Sequence, residues 1–577
     1  MFDIIIRGGL LVDGTGTPGK PADLGIRGDT IESVGELGKA RAELELDATG
    51  KVVCPGFVDL HTHADLYMPM EKGEELLAPL VMQGITSVVG GNCGYSAACI
   101  PNSSRAAIMA HLEGLAGPGL ERAFTWESPE GFFEALESRG MVCNLGELAG
   151  HGTLRIAAAG EAQGSLGAAE RATMSHHLAE CLDSGCLGLS TGLQYYPGLL
   201  AEADELLGLG RELKSRGGIL TSHLRSYAHT LRQAIDEICD VALESGVGLQ
   251  ISHFYNQPYI PGMAALSGAA IRAASFLYNR VGLHIPSEGV LKPWLEYLER
   301  KRRSGLELGF DLVPSSQGFT ELSAFLPPYV FAAGKRRALE LLSDPAYRAR
   351  VERDIASARP DWPHREGASW SFNYIKMTGW GGLRVMAVDS ERNRWTEGLS
   401  FPEIGARLGK GAFDALADLL IAEEGRVLVF HTPTFPDDPF TFRSMWLGFL
   451  DPHSSPVTDA LIFPFGRPSH VLYDCFPRFI EFFVKKRGLL RLEEAVRKCS
   501  SLPARTMGLA RRGEIREGYR ADLIVLDLER LSTSATFREP RVSPAGVEQV
   551  LINGKFAVRD GAFVRGALAG RVLRRGA

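Results

Sequence analysis

The sequence predicts an α/β protein built on a (β/α)8 barrel, with a small β-sandwich formed by both termini and an insertion after the seventh barrel strand. Three observations lead to this prediction. Apolar, strand-like runs alternate with helical patterns through the middle of the chain, and turn-rich β segments lie at both ends. One stretch, 316–430, is too long for a single strand-to-helix connection.

The barrel prediction rests on eight apolar runs, whose composition suits parallel strands that are covered on both faces. The runs are 52–60, 85–89, 141–148, 186–189, 218–222, 247–251, 306–312 and, as the choice for the eighth strand, 457–463. Helical patterns at 168–182, 203–214 and 231–244 separate some of them. Within the insertion, Ala412–Ala422 also has the pattern of an amphipathic helix.

The two ends of the chain are expected to form one sandwich, because chain termini often lie close together. Short strand patterns occur at 2–7, 9–12, 23–27 and 30–34, and again at 522–527, 547–552 and 556–559. Residues 1–54 and 506–577 would form the sandwich, 55–315 and 431–505 the barrel, and 316–430 the insertion.

Bulk composition excludes several classes of protein. The net charge of -7 gives no reason to expect nucleic acid or an anionic membrane as a partner. The N-terminal segment lacks the pattern of a signal peptide, and the nine cysteines form no CxxC pair, so we expect reduced thiols in the cytoplasm. A small-molecule substrate fits this composition, and the sequence leaves a homo-oligomer open.

Polar residues stand at nearly every predicted strand end, where the active sites of such barrels lie. His61 and His63 are separated by one residue, so on a strand their imidazoles point to the same side. Two convergent imidazoles at a strand end suit a metal ion. The other polar strand ends are at Cys93, His151, Thr191, His223, His253, Asp311 and Asp459. Any one of them is explained by ordinary packing, but the whole set indicates a site.

Several motifs together resemble one known family. They are 13–16 (DGTG), 56–63 (GFVDLHTH), 84–94 (GITSVVGGNCG), 150–155 (GHGTLR), 189–198 (LSTGLQYYPG), 222–225 (SHLR), 251–253 (ISH) and 513–525 (GEIREGYRADLIV). The chain resembles the amidohydrolase superfamily and, within it, the D-aminoacylase-like (N-acyl-D-amino-acid deacylase) family. The last motif is common to the superfamily, whereas 92–94 and 190–193 are specific to this branch.

The resemblance implies metal ligands and a catalytic acid. His61 and His63 would bind one metal position, His223 and His253 the second, and Cys93 would be shared between them. Thiolate and imidazole together select zinc, so the expected cofactor is one or two Zn2+ ions. Asp459 would bind metal or water, take a proton from the water and pass it to the leaving nitrogen.

The residues that would bind substrate depart from the family pattern. A lysine that helps to hold the substrate's carboxylate is replaced by Tyr255, and the usual Asp-x-Tyr-Pro-Tyr is DLVPS at 311–315. The family's His-Pro-Arg is Phe476-Pro477-Arg478, and its Ser-Asp is Thr458-Asp459. The expected substrate-binding residues are His151, Tyr195, Arg225, Tyr255 and Arg478, with either arginine able to replace the missing lysine.

Three functions therefore stay open. The first is zinc-dependent hydrolysis of the amide bond in an N-acyl amino acid or a related small amide, with an aromatic or apolar substrate favoured by Tyr255 and Tyr195. The second is hydrolysis of a cyclic amide, a lactone or another ester by the same residues, since such substrates need no carboxylate anchor. The third is a zinc-binding barrel without catalysis.

Overall fold

The computed structural model describes residues 1–161, 164–258, 263–358, 361–362 and 370–575. The strands in this part of the chain are, in order, β1 (Phe2–Leu11), β2 (Lys20–Arg27), β3 (Thr30–Gly35), β4 (Ala42–Asp47), β5 (Val52–Pro55), β6 (Phe57–Asp59), β7 (Ile85–Gly90), β8 (Asn144–Gly150), β9 (Gly188–Gly192), β10 (Ile219–His223), β11 (Leu249–Ile251), β12 (Leu308–Leu312), β13 (Gly318–Glu321), β14 (Leu383–Val388), β15 (Val427–His431), β16 (Ser454–Pro456), β17 (Leu523–Leu526), β18 (Val547–Ile552), β19 (Lys555–Arg559) and β20 (Ala562–Phe563).

The α-helices of the same part surround these strands. They are α1 (Gly73–Met82), α2 (Arg105–Ala116), α3 (Leu120–Ala123), α4 (Pro129–Arg139), α5 (His151–Ala159), α6 (Ala168–Asp183), α7 (Ala203–Arg216), α8 (Leu231–Ser245), α9 (Ala264–Phe276), α10 (Lys292–Arg303), α11 (Lys335–Leu342), α12 (Pro345–Ser357), α13 (Tyr374–Thr378), α14 (Phe401–Leu408), α15 (Ala412–Ala422), α16 (Pro439–Arg443), α17 (Trp446–Leu450), α18 (Val471–Ile480), α19 (Leu492–Cys499) and α20 (Ser501–Thr506). Among the described residues, none of these helices combines the length and apolar character needed to cross a bilayer.

The predicted barrel is confirmed. Eight strands form one parallel sheet in the order β6-β7-β8-β9-β10-β11-β12-β16. The sheet closes just beyond β6 and β16, where the Asp459 amide donates to the His61 carbonyl at 2.9 Å and Thr62 pairs with Ala460. Every residue of β7, β8 and β9 is buried, as expected for strands covered on both faces.

The eighth strand is not where the sequence predicted it. It is β16, and the apolar run 457–463 follows it as irregular chain. Val457, Leu461 and Ile462 are buried without belonging to a strand, so their apolar character reflects burial and not strand pairing. Asp459 has a φ of 49°, which interrupts any extended conformation at that point.

The first predicted strand is divided between two sheets. β5 pairs with β1 and β17 in the terminal sheet, whereas β6 begins the barrel. Gly56 lies at the junction, and a Cβ there would stand 2.1 Å from Thr86 Oγ1, so only glycine allows this close passage.

Strands from both termini share a nine-stranded sheet, as predicted. Its order is β20-β19-β18-β17-β5-β1-β2-β3, with β4 paired to β1. The two ends of the chain meet where β5 runs antiparallel to β17. Ile6, Leu24 and Val525 belong to the buried cluster of this sheet, so both termini contribute to one core.

The insertion after the seventh strand contains a three-stranded antiparallel sheet, β13-β15-β14, with helices α11 to α15. The helix predicted at Ala412–Ala422 is α15. β15 ends at His431, one residue beyond the predicted insertion. Residues 359–360 and 363–369 of that insertion lie outside the described residues, and the domain boundaries stay predictions.

Candidate active site

The metal ligands implied by the resemblance converge at the carboxyl ends of the barrel strands. His61 and His63 follow β6, Cys93 follows β7, His223 ends β10 and His253 follows β11. In the described residues, the donor atoms of His61, His63, Cys93 and Asp459 lie within 4.8 Å of one another, as do those of Cys93, His223 and His253. Two adjoining groups that share one thiol can hold one or two metal ions.

The Cys93 sulfur lies between the two groups. Its Sγ is 3.3 Å from His61 Nε2, 3.7 Å from His223 Nδ1 and 3.6 Å from His253 Nε2. Burial by itself would raise the pKa of this thiol, but the charge of His61 and hydrogen bonds from His223, His253 and His61 outweigh it and hold the pKa well below its ordinary value. The site therefore favours the thiolate, which is the form that binds a metal.

Asp459 lies on the side of the first group. Its Oδ1 is 3.2 Å from His61 Nε2 and 3.5 Å from His63 Nε2. Burial raises the pKa of this carboxyl, but the charge of His61 and the hydrogen bonds from His61 and His63 outweigh that effect and hold the pKa below its ordinary value. Asp459 is thus ionised and can accept a proton.

Three of these donors come from strained backbone. Cys93, His253 and Asp459 have φ values of 53°, 33° and 49°, in the left-handed region that residues other than glycine rarely adopt. Such strain persists only where the surrounding structure imposes it, and it is common at functional sites. Here each residue turns its side chain out of a strand end and toward the shared centre.

A second layer of contacts orients the imidazoles. Asp311 Oδ1 accepts from the His253 amide at 2.6 Å and lies 3.4 Å from His61 Nδ1. Gln194 Oε1 lies 3.0 Å from His223 Nε2, which leaves the other ring nitrogen of His223 facing Cys93. Partners of this kind fix the tautomer and angle of a ligating imidazole. The donor set, its burial and its orientation fit a bound metal.

The donors open into a cavity of about 450 Å³ at the barrel mouth. Its wall is mostly apolar and includes Phe254, Ile271, Phe319, Phe325 and Leu461. Among the described residues that line it there is no lysine and no arginine. The cavity can therefore enclose an apolar group next to the donors, but its described lining offers no permanent cation to a carboxylate.

Tyr195 and Tyr255, two of the predicted substrate-binding residues, line this cavity. The Tyr255 ring stacks on Tyr227, with centroids 4.7 Å apart and planes 6° from parallel. The Tyr195 ring lies 4.4 Å from that of His223, and its hydroxyl bonds Thr320 at 3.0 Å. Both side chains thus present fixed aromatic surface beside the metal ligands.

Arg225 does not reach this cavity. It lines a second cavity of about 60 Å³ behind Gln194 and Tyr195. Its guanidinium pairs with Glu237 at 3.0 Å and donates to the carbonyls of Leu199 and Ala201. Because these partners already use its donors, the expectation that Arg225 replaces the missing lysine has no geometric support.

His151 and Arg478 line neither of these cavities. His151 is fully buried and bonds Glu205 at 2.8 Å, in a pair that Arg155 also joins. Arg478 lies on α18, where it is held by Asp474 at 2.6 Å and by the carbonyl of Ala535 at 2.6 Å. These partners hold both side chains away from the cavity, so neither residue belongs to the proposed substrate site.

The sequence did not indicate His431, which the insertion places in the cavity wall at the end of β15. Its ring lies 6.3 Å from Tyr255 and 5.4 Å from Phe325. Burial, helped by the charges of His253 and His223, lowers its pKa to about 3, so the imidazole is neutral at pH 7. No local motif surrounds this residue, and only the folded insertion reveals its position.

A parallel barrel with histidines, a cysteine and an aspartate converging at its strand ends is typical of an amidohydrolase, a hydrolase of carbon–nitrogen bonds other than peptide bonds. The model of the amidohydrolase family matches residues 468–558. The chain is also 31% identical to N-acyl-D-glutamate deacylase from Alcaligenes xylosoxydans xylosoxydans, over 96% of this chain and 93% of that one. The chain therefore belongs to the D-aminoacylase-like family of amidohydrolases, and the predicted resemblance is confirmed.

Solved structures agree with this assignment. The sequence is 28% identical to that of a D-aminoacylase solved by crystallography, and the two structures superpose with a TM-score of 0.73 over 100% of both chains. It is also 28% identical to N-acyl-D-glutamate deacylase from Bordetella bronchiseptica, which was solved with zinc and a phosphonate mimic of the tetrahedral intermediate. The TM-score is 0.74, over 99% of both chains.

Proposed function

We propose that this protein is a zinc-dependent hydrolase of a small amide with an aromatic or apolar group, either an N-acyl amino acid or a related compound. The observation that carries the proposal is the position of the metal donors and the Asp459 carboxylate at one end of a cavity without lysine or arginine in its described lining. Hydrolysis of a cyclic amide, a lactone or another ester by the same residues is the alternative that this lining also favours.

Zinc is the proposed metal because thiolate and imidazole donors select it. The zinc-bound relative from Bordetella bronchiseptica supports the same choice. His61, His63 and Asp459 would hold one ion, His223 and His253 a second, and Cys93 would contact both. A bound zinc ion supplies charge that polarises the scissile carbonyl and lowers the pKa of water.

Asp459 carries the proton in the proposed reaction. Its carboxylate takes a proton from the attacking water as the water oxygen bonds to the carbonyl carbon. The same proton then passes to the amide nitrogen as the carbon–nitrogen bond breaks, which releases an acid and an amine. The left-handed backbone at Asp459 supports this role, because the carboxylate lies against His61 and His63 and Asp459 lines the cavity.

The cavity wall supports an uncharged or weakly polar substrate. A carboxylate that entered would lose its hydration, and burying an unpaired charge is costly. Tyr255 occupies the position of the family's lysine and offers an aromatic face and a neutral hydroxyl. Neutral His431 adds a polar contact without adding a cation. An aromatic amide would fit between these side chains.

The test compares kcat/KM for N-acetyl-D-methionine with kcat/KM for N-acetylbenzylamine, in protein whose zinc content is measured. The uncharged amide should be preferred by about tenfold to a hundredfold, which is the effect of one missing charge-assisted contact. Tyr255→Lys should reduce this preference, whereas the matched variant Tyr255→Phe should keep it. A tenfold preference of the wild type for the acidic substrate would overturn the proposed specificity.

We also propose a cytoplasmic location. All nine cysteines are buried free thiols, which is the usual state of cysteine in a reducing compartment.

A further inference from the structure

Helix α9 is apolar on its solvent side as well as on its cavity side. Ser267, Ala270, Ile271 and Ala274 lie on one face, at the spacing of successive helical turns, and line the catalytic cavity. A surface helix normally carries charged and polar residues on its other face. The only charged residue of α9 is Arg272.

The outward side of α9 and of the chain beside it exposes a group of large apolar side chains. They are between 37% and 64% exposed and comprise Met263, Leu266, Phe276, Leu277, Val281 and Leu283. Scattered exposed apolar residues are ordinary, whereas six large ones within the single segment 263–283 point to an interaction surface. We call residues 263–283 the apolar rim.

The apolar rim borders the entrance of the cavity. Ala270 and Pro286 both line the cavity and are exposed to solvent, so the cavity opens beside α9. A protein bound permanently to the rim would cover this opening. A surface that carries substrate would instead bring substrate molecules to the opening.

The charges of the apolar rim distinguish two occupants. Its only charged residues are Arg272 and Arg280, with no aspartate or glutamate. A second copy bound through the same surface would place the arginines of both copies in one interface without an aspartate or glutamate from either rim, because a twofold contact pairs a patch with itself. Although the whole chain has a net charge of -7, the rim itself carries only positive charge. A lipid surface with anionic headgroups therefore complements both the arginines and the apolar side chains of the rim.

We propose that the apolar rim docks on a lipid surface with anionic headgroups, from which an uncharged long-chain amide enters the cavity beside α9. This inference rests on the proposed function for its substrate class. The apolar acyl chain would leave the lipid along Leu266 and Ala270 and end against the apolar cavity wall. The amide group would then lie at the metal donors.

The test uses the full-length, zinc-loaded protein with vesicles of phosphatidylcholine that contain a minority of phosphatidylglycerol. N-dodecanoylbenzylamine is carried in the vesicles, and N-acetylbenzylamine is the soluble substrate. The double variant Phe276→Ser/Val281→Ser should sediment less with vesicles and hydrolyse the long-chain amide about tenfold more slowly or worse, because large exposed apolar side chains no longer bury in lipid. Its rate on the soluble amide should stay within about twofold of wild type.

Leu408→Ser/Leu489→Ser is the matched control, since both leucines are comparably exposed but lie outside the rim; it should resemble wild type in every assay. Arg280→Glu should weaken sedimentation with the anionic vesicles. Unchanged sedimentation of the Phe276→Ser/Val281→Ser protein would overturn the docking proposal. So would a wild-type dimer that does not bind vesicles and that this double variant dissociates. Absence of hydrolysis of both amides would contradict the proposed function, while sedimentation would still decide the docking.

Discussion

Asp459 joins structure and chemistry at the scale of a single residue. Its backbone amide closes the barrel by donating to the His61 carbonyl at 2.9 Å, and its carboxylate faces the imidazoles of His61 and His63. Two other acids near it in sequence are already engaged, Asp451 with Arg302 and Asp474 with Arg478. Of these three acids, Asp459 is the one without an arginine partner and the one that lines the cavity, which is why we propose it as the proton carrier.

Asp459→Asn should lower kcat by about a hundredfold to ten-thousandfold, the usual contribution of a general acid–base group, because the amide cannot take a proton from water. The zinc content and the melting temperature should stay close to wild type, since four imidazoles and the thiolate remain. Steady-state kinetics and metal analysis of one preparation measure both. A loss of less than about tenfold would assign the proton transfer to another residue.

The convergence of the proposed metal ligands could be predicted from the sequence, because each stands in a short family motif at a strand end. His61, Cys93 and His223 are examples. His431 could not be recognised in this way, because its position depends on the folded insertion. Gln194 lies in the motif 189–198, but the motif does not reveal its contact with His223. The proximity of Arg225 to His223 is visible in the sequence, but the partners that turn its guanidinium away from the cavity are not.

At the scale of an element, the turn after β7 presents Cys93. Ser190 holds this turn from β9, which lies two strands away in the sheet. Its hydroxyl donates to the Gly91 carbonyl and accepts from the Gly94 amide at 3.0 Å. Gly91 has a φ of 72°, and a Cβ at this position would stand 1.9 Å from the Leu148 carbonyl oxygen. The turn is therefore built around a glycine that both conformation and space require.

Gly91→Ala should destabilise the protein by about 2–5 kcal/mol, since a left-handed backbone and a clash with β8 act together. It should also lower the zinc content, because any relief of the clash moves Cys93. Denaturant unfolding and metal analysis measure the two effects.

Gly28→Ala is the matched control for the cost of an alanine in left-handed backbone without a clash. Gly28 also has a positive φ, of 56°, but nothing lies within 4 Å of an added Cβ. This variant should cost about 1–2 kcal/mol and keep its zinc. Equal costs at the two positions would mean that β8 does not confine the Cys93 turn.

The element boundaries show where sequence patterns stop being informative. The continuous apolar run 52–60 hides the division between β5 and β6, because both strands are buried and neither alternates. The run 457–463 misled for the same reason, since it is buried without being a strand. Strand boundaries in both runs depend on which strands pair with each other, and local composition does not show this.

At the scale of the whole molecule, a buried polar network joins the barrel to the terminal sheet. Asp522 pairs with Arg512 and accepts from Asn144 Nδ2 at 3.2 Å and from the Asn553 amide at 2.8 Å. Asn144 begins the barrel strand β8, whereas Asn553 follows β18 in the terminal sheet. These hydrogen bonds thus join the terminal sheet to the barrel.

Asp522→Ala should cost about 3–5 kcal/mol, because it leaves the buried guanidinium of Arg512 without its partner. The double variant Arg512→Met/Asp522→Leu should recover part of that loss, since no unpaired charge remains. Denaturant unfolding of the three proteins measures these free energies. A single variant as stable as the double variant would mean that water replaces the lost carboxylate.

The meeting of the two termini could be predicted, because matching strand patterns at both ends need partners. The antiparallel sheet of the insertion could not, since β13 and β15 are separated by more than a hundred residues of sequence and no short turn joins them. Loops of that length are uncommon in compact domains, so the pattern showed an insertion but not its fold.

The contacts that close the barrel, between the chain after β6 and the chain after β16, also determine when an active molecule first exists. Thr458 bonds Asp59 across 399 positions of the chain, and the Asp459 amide bonds His61 beside it. Bringing such distant segments together has a large entropic cost, and contacts of this range slow folding. During synthesis, His61 and His63 are present in the chain long before Asp459 is added. Catalysis can begin only when the last barrel strand has joined the first. The moment at which activity appears during refolding therefore reports when the barrel is complete.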